Sequence, residues 1–427
     1  MIHFMCVARL PRAPRVHTGA ARRTRAQRRR SVTLGRVQVE FNHRYVFQLP
    51  YEFIRDSCPS NFDARRSERL FSISSVGSGV LHAEDAGIVC SETPTRRVHA
   101  IAVVWHDGSE TELDVDWVFD KVTTRMHTHT HKVVCTSRGP PPCADTDPAA
   151  HPRVLWGSEV NNNVPAFDFK AVTSSVRHQL ELSQTLQQHG LVIIKGASTR
   201  STVLGELWHG VFKAGQTSHP FQVCCTSDDE SSLQGIPLHS ERAFAEAPPG
   251  FLAMHCSRHS CSGGGTDAPL IFVDGAKFAE ALRADHAEEY EVLCSTPVSF
   301  AKVSADVDVR AERPILELGP AGDLQRVSFD EQRRMRWEGS AEQGGRLLKA
   351  LNTAANLLYR SDLVVAQAVD EGDVVLLDAR RVMWGQIPAA TNKTDMHCTL
   401  DCSFVLADEV CSRLRVLHRI VGDGGGA

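Results

Sequence analysis

Three patterns are missing from this sequence of 427 residues, and each absence excludes a class of protein. No run approaches the eighteen or more apolar residues that a membrane-spanning helix needs. No Cys-x-x-Cys pair occurs among the 13 cysteines, so neither a zinc ribbon nor a disulfide scaffold is predicted, and reduced thiols in an intracellular compartment fit best. No Gly-x-Gly-x-x-Gly segment opens a helix, which argues against a nucleotide-binding sheet.

The amino-terminal segment also lacks negatively charged residues. Residues 1–39 contain ten arginines and no Asp, Glu or Lys. Because the whole chain carries a formal net charge of −4, residues 40–427 carry −14. An arginine-rich segment without acids is typical of a mitochondrial transit peptide, so a mitochondrial location is predicted, with a cytoplasmic one as the alternative. A nuclear or nucleic-acid-binding arm and a disordered extension are the other interpretations of this segment.

The acidic body argues against a nucleic-acid partner, and the lack of a long apolar run argues against a membrane partner.

In residues 40–135, short runs alternate apolar and polar side chains, which predicts a small β-rich domain. Residues 136–165 are rich in Pro, Asp and Asn and are typical of a linker. Residues 166–420 combine many short strands with a few helices, and residues 421–427 form a glycine-rich tail. We therefore predict a mainly β fold with flanking helices (α+β), either a β-sandwich or a jelly-roll barrel.

Several elements can be placed by their pattern. Leucines on one side predict a helix through Val176–His189 that stops at Gly190, and a second helix follows near Ser201–Phe212. A buried strand is predicted at residues 191–196, directly after the first helix. Alternation predicts another strand over Glu112–Val118.

A series of short motifs resembles one branch of an enzyme family in order and spacing. In the body of the chain the motifs are Leu238–Glu241, Pro248–Phe251, Met254–Cys256, Val273–Gly275, Pro297–Phe300, Glu371–Val375, Asp378–Val382 and Ser412–Leu417, with Phe53–Cys58 and Val104–Gly108 upstream. This sequence resembles the γ-butyrobetaine and trimethyllysine dioxygenases among the TauD-like Fe(II)/2-oxoglutarate oxygenases. The resemblance covers about residues 40–420. It implies a double-stranded β-helix (jelly-roll) for the second domain, and often a homodimer.

The resemblance also implies a metal site and a cosubstrate site. In this family two imidazoles and a carboxylate hold Fe(II), and an arginine fork binds the distal carboxylate of 2-oxoglutarate. His239 takes the first ligand position, while Glu241 stands in place of the usual aspartate. Trp384 falls where the distal histidine is expected, and an indole has no ring lone pair that could bind iron. Lys393 aligns with the arginine that binds the cosubstrate. Lysine keeps the positive charge of that arginine but lacks the planar fork of N–H donors.

Two further family sites are altered. The relatives hold zinc in the small domain with three cysteines and a histidine, but those positions here are Cys58, Ser60, Asp63 and Ser109. A lone Cys58 cannot form a tetrahedral zinc site, so zinc binding is not expected. After the metal-binding carboxylate the family commonly has an aromatic residue of a trimethylammonium cage, and here it is Arg242, which would repel a quaternary ammonium group.

Two functions are compatible with these departures. The first is a catalytically impaired or inactive pseudoenzyme that forms a homodimer, or a heterodimer with an active relative. The alternative is an active 2-oxoglutarate-dependent hydroxylase (an oxidoreductase) that acts on a small carnitine-pathway-like or other zwitterionic substrate. In that case His239 and Glu241 would hold Fe(II), with water or His397 completing the site, and Lys393 would hold 2-oxoglutarate. No catalytic residue is predicted beyond the metal site.

Overall fold

The chain forms two compact units. The computed structural model describes residues 6–9, 35–41, 45–63, 68–71, 81–92, 97–123, 152–161, 163–214, 218–226, 235–261, 269–387 and 396–423. Unit 1 comprises Met1–Val133, Ala301–Asp308 and Glu331–Asn356, and unit 2 comprises Val134–Phe300, Val309–Asp330 and Leu357–Ala427. The sequence-based division at residues 135 and 166 did not include the two later segments of unit 1, because no local sequence pattern indicates that the chain returns to that unit.

Unit 1 is built from antiparallel sheets and two short helices near its amino-terminal end. The strands are β1 (Cys6–Arg9), β2 (Arg36–Phe41), β3 (Tyr45–Pro50), β4 (Phe62–Asp63), β5 (Glu68–Arg69), β6 (Ala83–Glu92), β7 (Arg97–Trp105) and β8 (Glu110–Asp114), and the helices are α1 (Tyr51–Asp56) and α2 (Val115–Thr123). Two sheets have the orders β1-β2-β3 and β6-β7-β8. The predicted domain start at residue 40 falls inside β2, where Val37 and Val39 are fully buried. Residues 10–34 of the arginine-rich segment lie outside the described residues.

One local prediction in unit 1 was wrong. The strand expected over Glu112–Val118 ends at Asp114, and the chain continues as α2. The Asp114 carboxylate accepts a hydrogen bond from the Trp117 N–H at 3.0 Å, which satisfies one of the free N–H groups at the start of a helix. This capping interaction favours the helix. The alternation of apolar residues in the sequence gave no indication of it.

From residue 166 onward the chain supplies the remaining elements. The strands are β9 (Ala166–Asp168), β10 (Leu191–Lys195), β11 (Ser218–Thr226), β12 (Ile236–His239), β13 (Phe251–Cys261), β14 (Leu270–Asp274), β15 (Val298–Val303), β16 (Asp308–Arg313), β17 (Leu316–Leu318), β18 (Leu324–Val327), β19 (Val365–Gln367), β20 (Val374–Asp378), β21 (Val382–Gln386) and β22 (Met396–Val405). The helices are α3 (Phe169–Ser174), α4 (Val176–His189), α5 (Val203–Gly205), α6 (Gly275–Asp285), α7 (Ala287–Ser295), α8 (Ala341–Leu358) and α9 (Ala407–Asp423).

The core of unit 2 lies between two sheets. A six-stranded sheet has the order β11-β22-β13-β20-β10-β9, and a four-stranded sheet has the order β12-β21-β14-β19. Leu252 and Leu400 of the first sheet share one hydrophobic cluster with Phe272 and Trp384 of the second. A separate cluster joins the six-stranded sheet to α3, α4 and α9. A mixed, β-rich fold with flanking helices is therefore confirmed.

Several element boundaries follow from single residues. Helix α4 ends as predicted at Gly190, which has a φ of 72° that glycine adopts without steric cost. The predicted helix near Ser201–Phe212 consists of α5 followed by a π-helix, Glu206–Val211. Helix α9 continues to Asp423, so the glycine-rich tail begins later than residue 421, and residues 424–427 lie outside the described part.

The described end of the predicted linker belongs to the packed part of unit 2. Trp156 is only 2% exposed, and its indole N–H donates to the His189 carbonyl at 2.6 Å. Its backbone N–H donates to the Asp274 carboxylate at 3.2 Å. The Pro-, Asp- and Asn-rich composition of this segment therefore gave no indication that Trp156 is buried. Within the described ranges, no helix has both the length and the hydrophobicity to cross a bilayer.

Candidate functional site

Strands β12 and β21 bring two of the predicted site positions together. They pair antiparallel in the four-stranded sheet, and His239 lies opposite Trp384 in the register. The centroids of the two rings are 4.8 Å apart, with the ring planes at 52°. The position expected for the distal iron ligand is therefore adjacent to the position of the first ligand, but it carries an indole that is 2% exposed.

Glu241 connects these two rings. The Trp384 indole N–H donates to Glu241 Oε2 over 3.3 Å, and His239 Nε2 lies 3.9 Å from the same oxygen. His239 Nδ1 is 3.0 Å from the Pro237 carbonyl oxygen, which can only accept, so Nδ1 carries a hydrogen. His239 therefore presents Nε2 to the carboxylate. The side chains of His239 and Glu241 are 21% and 11% exposed.

The turn that carries Glu241 is held from both sides. The Ser240 N–H donates to the Phe329 carbonyl at 2.7 Å, and the Phe329 N–H donates to Ser240 Oγ at 3.0 Å. Arg242 follows with a φ of 54°, a left-handed conformation that disfavours residues with a Cβ. Its carbonyl accepts the Ala245 N–H at 2.9 Å, which closes the turn. The backbone around Glu241 is thus fixed by hydrogen bonds within unit 2.

Cys402 is a neighbour of this site that the sequence did not indicate. Burial raises the pKa of the Cys402 thiol well above its ordinary value, and the negative charges of Glu241 and Asp401 add to the effect. Thirteen scattered cysteines gave no signal that one of them lies close to Glu241.

These residues do not supply the donors of the iron site implied by the resemblance. His239 Nε2 and Glu241 offer two ligands, and the Trp384 N–H offers none. Across the described ranges, no group of three or more His, Cys, Asp or Glu side chains is arranged to hold a metal ion. Lys393 and the side chain of His397 lie outside the described residues.

The positions that correspond to the family's zinc site lie in unit 1. Cys58 Sγ is 3.0 Å from Ser60 Oγ and donates weakly to the Glu110 carbonyl at 4.0 Å. Ser109 is hydrogen-bonded to Asp107 and Arg55 instead of facing a metal. Hydrogen bonds thus engage three of the four side chains at these positions, those of Cys58, Ser60 and Ser109.

The chain belongs to the taurine catabolism dioxygenase TauD, TfdA family, whose model matches residues 145–398, more than half of its length. The family predicted from the motifs is therefore confirmed. The chain is 23% identical over 387 residues to the γ-butyrobetaine dioxygenase of Homo sapiens, covering 88% of this chain and 92% of that protein. It is 22% identical over 274 residues to the mitochondrial trimethyllysine dioxygenase of Bos taurus, covering 59% of this chain and 55% of that protein. Among solved structures, it is similar to a taurine dioxygenase from Burkholderia xenovorans at 12% identity and a TM-score of 0.43, covering 59% of this chain and 89% of that one.

Proposed function

We propose that this chain is a pseudoenzyme of the γ-butyrobetaine dioxygenase-like branch, catalytically impaired or inactive as an oxygenase. The observation that carries the proposal is the contact between Trp384 and Glu241. An iron ion held by His239 and Glu241 would need its third protein ligand where the indole lies, and the indole N–H is directed at the carboxylate. Two protein ligands compete poorly with water for a metal ion, so iron retention would be weak.

The remainder of the chain fits this proposal. The six-stranded and four-stranded sheets would be the double-stranded β-helix of the family, and the small β-rich part of unit 1 would keep Cys58 as the remnant of a zinc site. Lys393 would occupy the position of the cosubstrate arginine. The resemblance supports a homodimer, or a heterodimer with an active relative, as the functional form.

A mitochondrial location belongs to the same proposal. It is supported by the arginine-rich, acid-free composition of residues 1–39 and by a relative that is named a mitochondrial trimethyllysine dioxygenase. A fusion of residues 1–39 to a fluorescent reporter should enter mitochondria. Cytosolic or nuclear fluorescence alone would contradict this part of the proposal.

The central experiment measures iron retention and turnover. The purified full chain is incubated with Fe(II) and 2-oxoglutarate, after which bound iron and released succinate are quantified beside a His239→Ala variant. We expect wild type and variant to give equal, background values. Succinate above the level of the His239→Ala variant would contradict the proposal and favour an active hydroxylase of a small zwitterion.

A matched pair of substitutions tests the role of the indole. Trp384→His restores an imidazole at the third ligand position, whereas Trp384→Phe keeps an aromatic ring and supplies no nitrogen. We expect the histidine variant to retain more iron than the phenylalanine variant, because only imidazole offers a lone pair. Equal retention by the two variants would show that the residue at position 384 does not limit metal binding.

A further inference from the structure

We propose that Arg242 makes this site a binding site for a small carboxylate ligand. The inference rests on the proposed function, since it assigns a ligand class to the same site in the absence of oxygenase chemistry. A guanidinium offers a planar fork of N–H donors that matches a carboxylate in two parallel hydrogen bonds.

Arg242 is held over aromatic rings at the edge of the core between the two sheets. Its guanidinium carbon lies 5.0 Å from the centroid of the Phe404 ring and 5.6 Å from that of Phe244, both within the range of cation–π attraction. Each ring is only 7% exposed. Phe404 belongs to the hydrophobic cluster shared by the two sheets. Cys402 lies two residues earlier on β22, and the negative charge of Glu241 contributes to raising the pKa of its thiol. Arg242 is therefore close to the residues of the candidate site.

The charge of Arg242 is not neutralised within the described part of the chain. No described carboxylate or carbonyl group pairs with its guanidinium, although the residue is partly buried. Arg380 provides a comparison inside the same unit, because it also lies over a phenyl ring, that of Phe251, at 5.4 Å. Arg380, however, donates to the Asp378 carboxylate at 2.8 Å. A stacked guanidinium keeps its N–H edge available, and unlike that of Arg380, the edge of Arg242 is not filled by a described carboxylate or carbonyl group.

The backbone orients this side chain. Arg242 adopts its left-handed φ of 54° inside the turn closed by the Ala245 N–H. Arg313 donates to the carbonyls of Ala245 and Glu246, at 2.6 and 3.2 Å, and so fixes the same turn, while its own charge is paired with Glu317 at 3.6 Å. The ligand attracted here is an anion, and a quaternary ammonium group is repelled.

A carboxylate fits this environment better than a phosphate. A phosphate calls for more donors than one fork supplies. An organic acid with an apolar body can, in addition, use the aromatic and aliphatic side chains around Arg242.

The test is a binding titration of the full chain with succinate in the presence of a metal chelator, followed by calorimetry. Arg242→Gly removes the guanidinium and suits the left-handed backbone, so the variant is expected to fold. Arg242→Lys keeps the charge without the fork. Arg283→Gln is the matched control, since Arg283 also lies over an aromatic ring, that of Tyr290 at 5.9 Å, but on α6. Removal of a charge-assisted pair should weaken succinate binding by about ten-fold or more in the glycine variant.

We expect an intermediate loss for Arg242→Lys, no change for Arg283→Gln, and no binding of tetramethylammonium. The inference fails if wild type shows no saturable succinate binding, if Arg242→Gly binds as tightly as wild type, or if inorganic phosphate binds more tightly than succinate. These results are independent of the turnover assay. Succinate production from 2-oxoglutarate would overturn the proposed function, whereas loss of the Arg242 dependence alone would overturn only this inference.

Discussion

Asp56 and Arg334 are 278 residues apart in the sequence and form a buried ion pair inside unit 1. Their side chains are 1% and 2% exposed. Arg69 donates to the same carboxylate at 2.9 Å, and Glu331 accepts from Arg334 Nε at 2.9 Å. This network connects the amino-terminal part of unit 1 to its last segment, which contains residues 331–356.

Asp56→Asn should therefore strongly destabilise unit 1. The substitution leaves two buried guanidinium groups without their shared anion, and breaking a buried pair in this way costs about 3–5 kcal/mol. Urea titration read by hydrogen exchange in α1 measures the change. Glu181→Gln is the control, because Glu181 pairs with Arg177 on the surface and its loss should cost less than about 1 kcal/mol. Similar losses in both variants would contradict the assigned role of Asp56.

Gly190 should not tolerate alanine. Its φ of 72° disfavours a Cβ, and an added Cβ would lie 3.3 Å from both Arg381 Cδ and Val382 Cγ2. We expect Gly190→Ala to lower the free energy of unfolding by about 1–2 kcal/mol. Gly205, at the end of α5, has open space around the Cβ position, so Gly205→Ala should be neutral or slightly stabilising. Thermal unfolding of both variants checks the difference, and equal midpoints would refute it.

Trp156 should contribute to stability although it lies in the segment predicted to be a linker. Trp156→Ala removes a buried side chain and its hydrogen bond to His189, with an expected loss of about 3–5 kcal/mol. Val154, two residues earlier, is 41% exposed, and Val154→Ala should change the free energy of unfolding by less than about 0.5 kcal/mol. A Trp156→Ala variant as stable as wild type would restore the linker interpretation.

His255 should make unit 2 sensitive to mild acid. Burial lowers its pKa, and this outweighs the hydrogen bond to the Ser198 carbonyl and the charge of Asp401, which both raise it. The unfolded chain therefore takes up a proton first, so the contribution of His255 is present above the unfolded pKa of about 6.5 and is lost as the pH falls below it. Urea titrations between pH 7.5 and 5 should show a decline in stability that is reduced in His255→Gln. An unchanged slope in that variant would contradict the prediction.

The sequence predicted those features that depend on neighbouring residues. Helix α4 and its end at Gly190 follow from leucine spacing and a glycine, and the order of the motifs was sufficient to indicate the family and to align Trp384 with a ligand position. It did not predict interactions between distant segments, such as the pairing of Asp56 with Arg334 or the charge of Glu241 near Cys402. It also did not predict that the guanidinium of Arg242 lies over the ring of Phe404, which belongs to the distant strand β22.

The division of unit 1 among three stretches of chain has a consequence for biosynthesis. A ribosome releases the amino-terminal strands long before it reaches residues 331–356, which complete that unit. Until then Asp56 has no access to Arg334, and Lys121 of α2 has no access to Glu338. The amino-terminal strands of unit 1 are therefore among the last parts to mature although they are translated before unit 2, and nascent chains that end before about residue 356 should depend on chaperones.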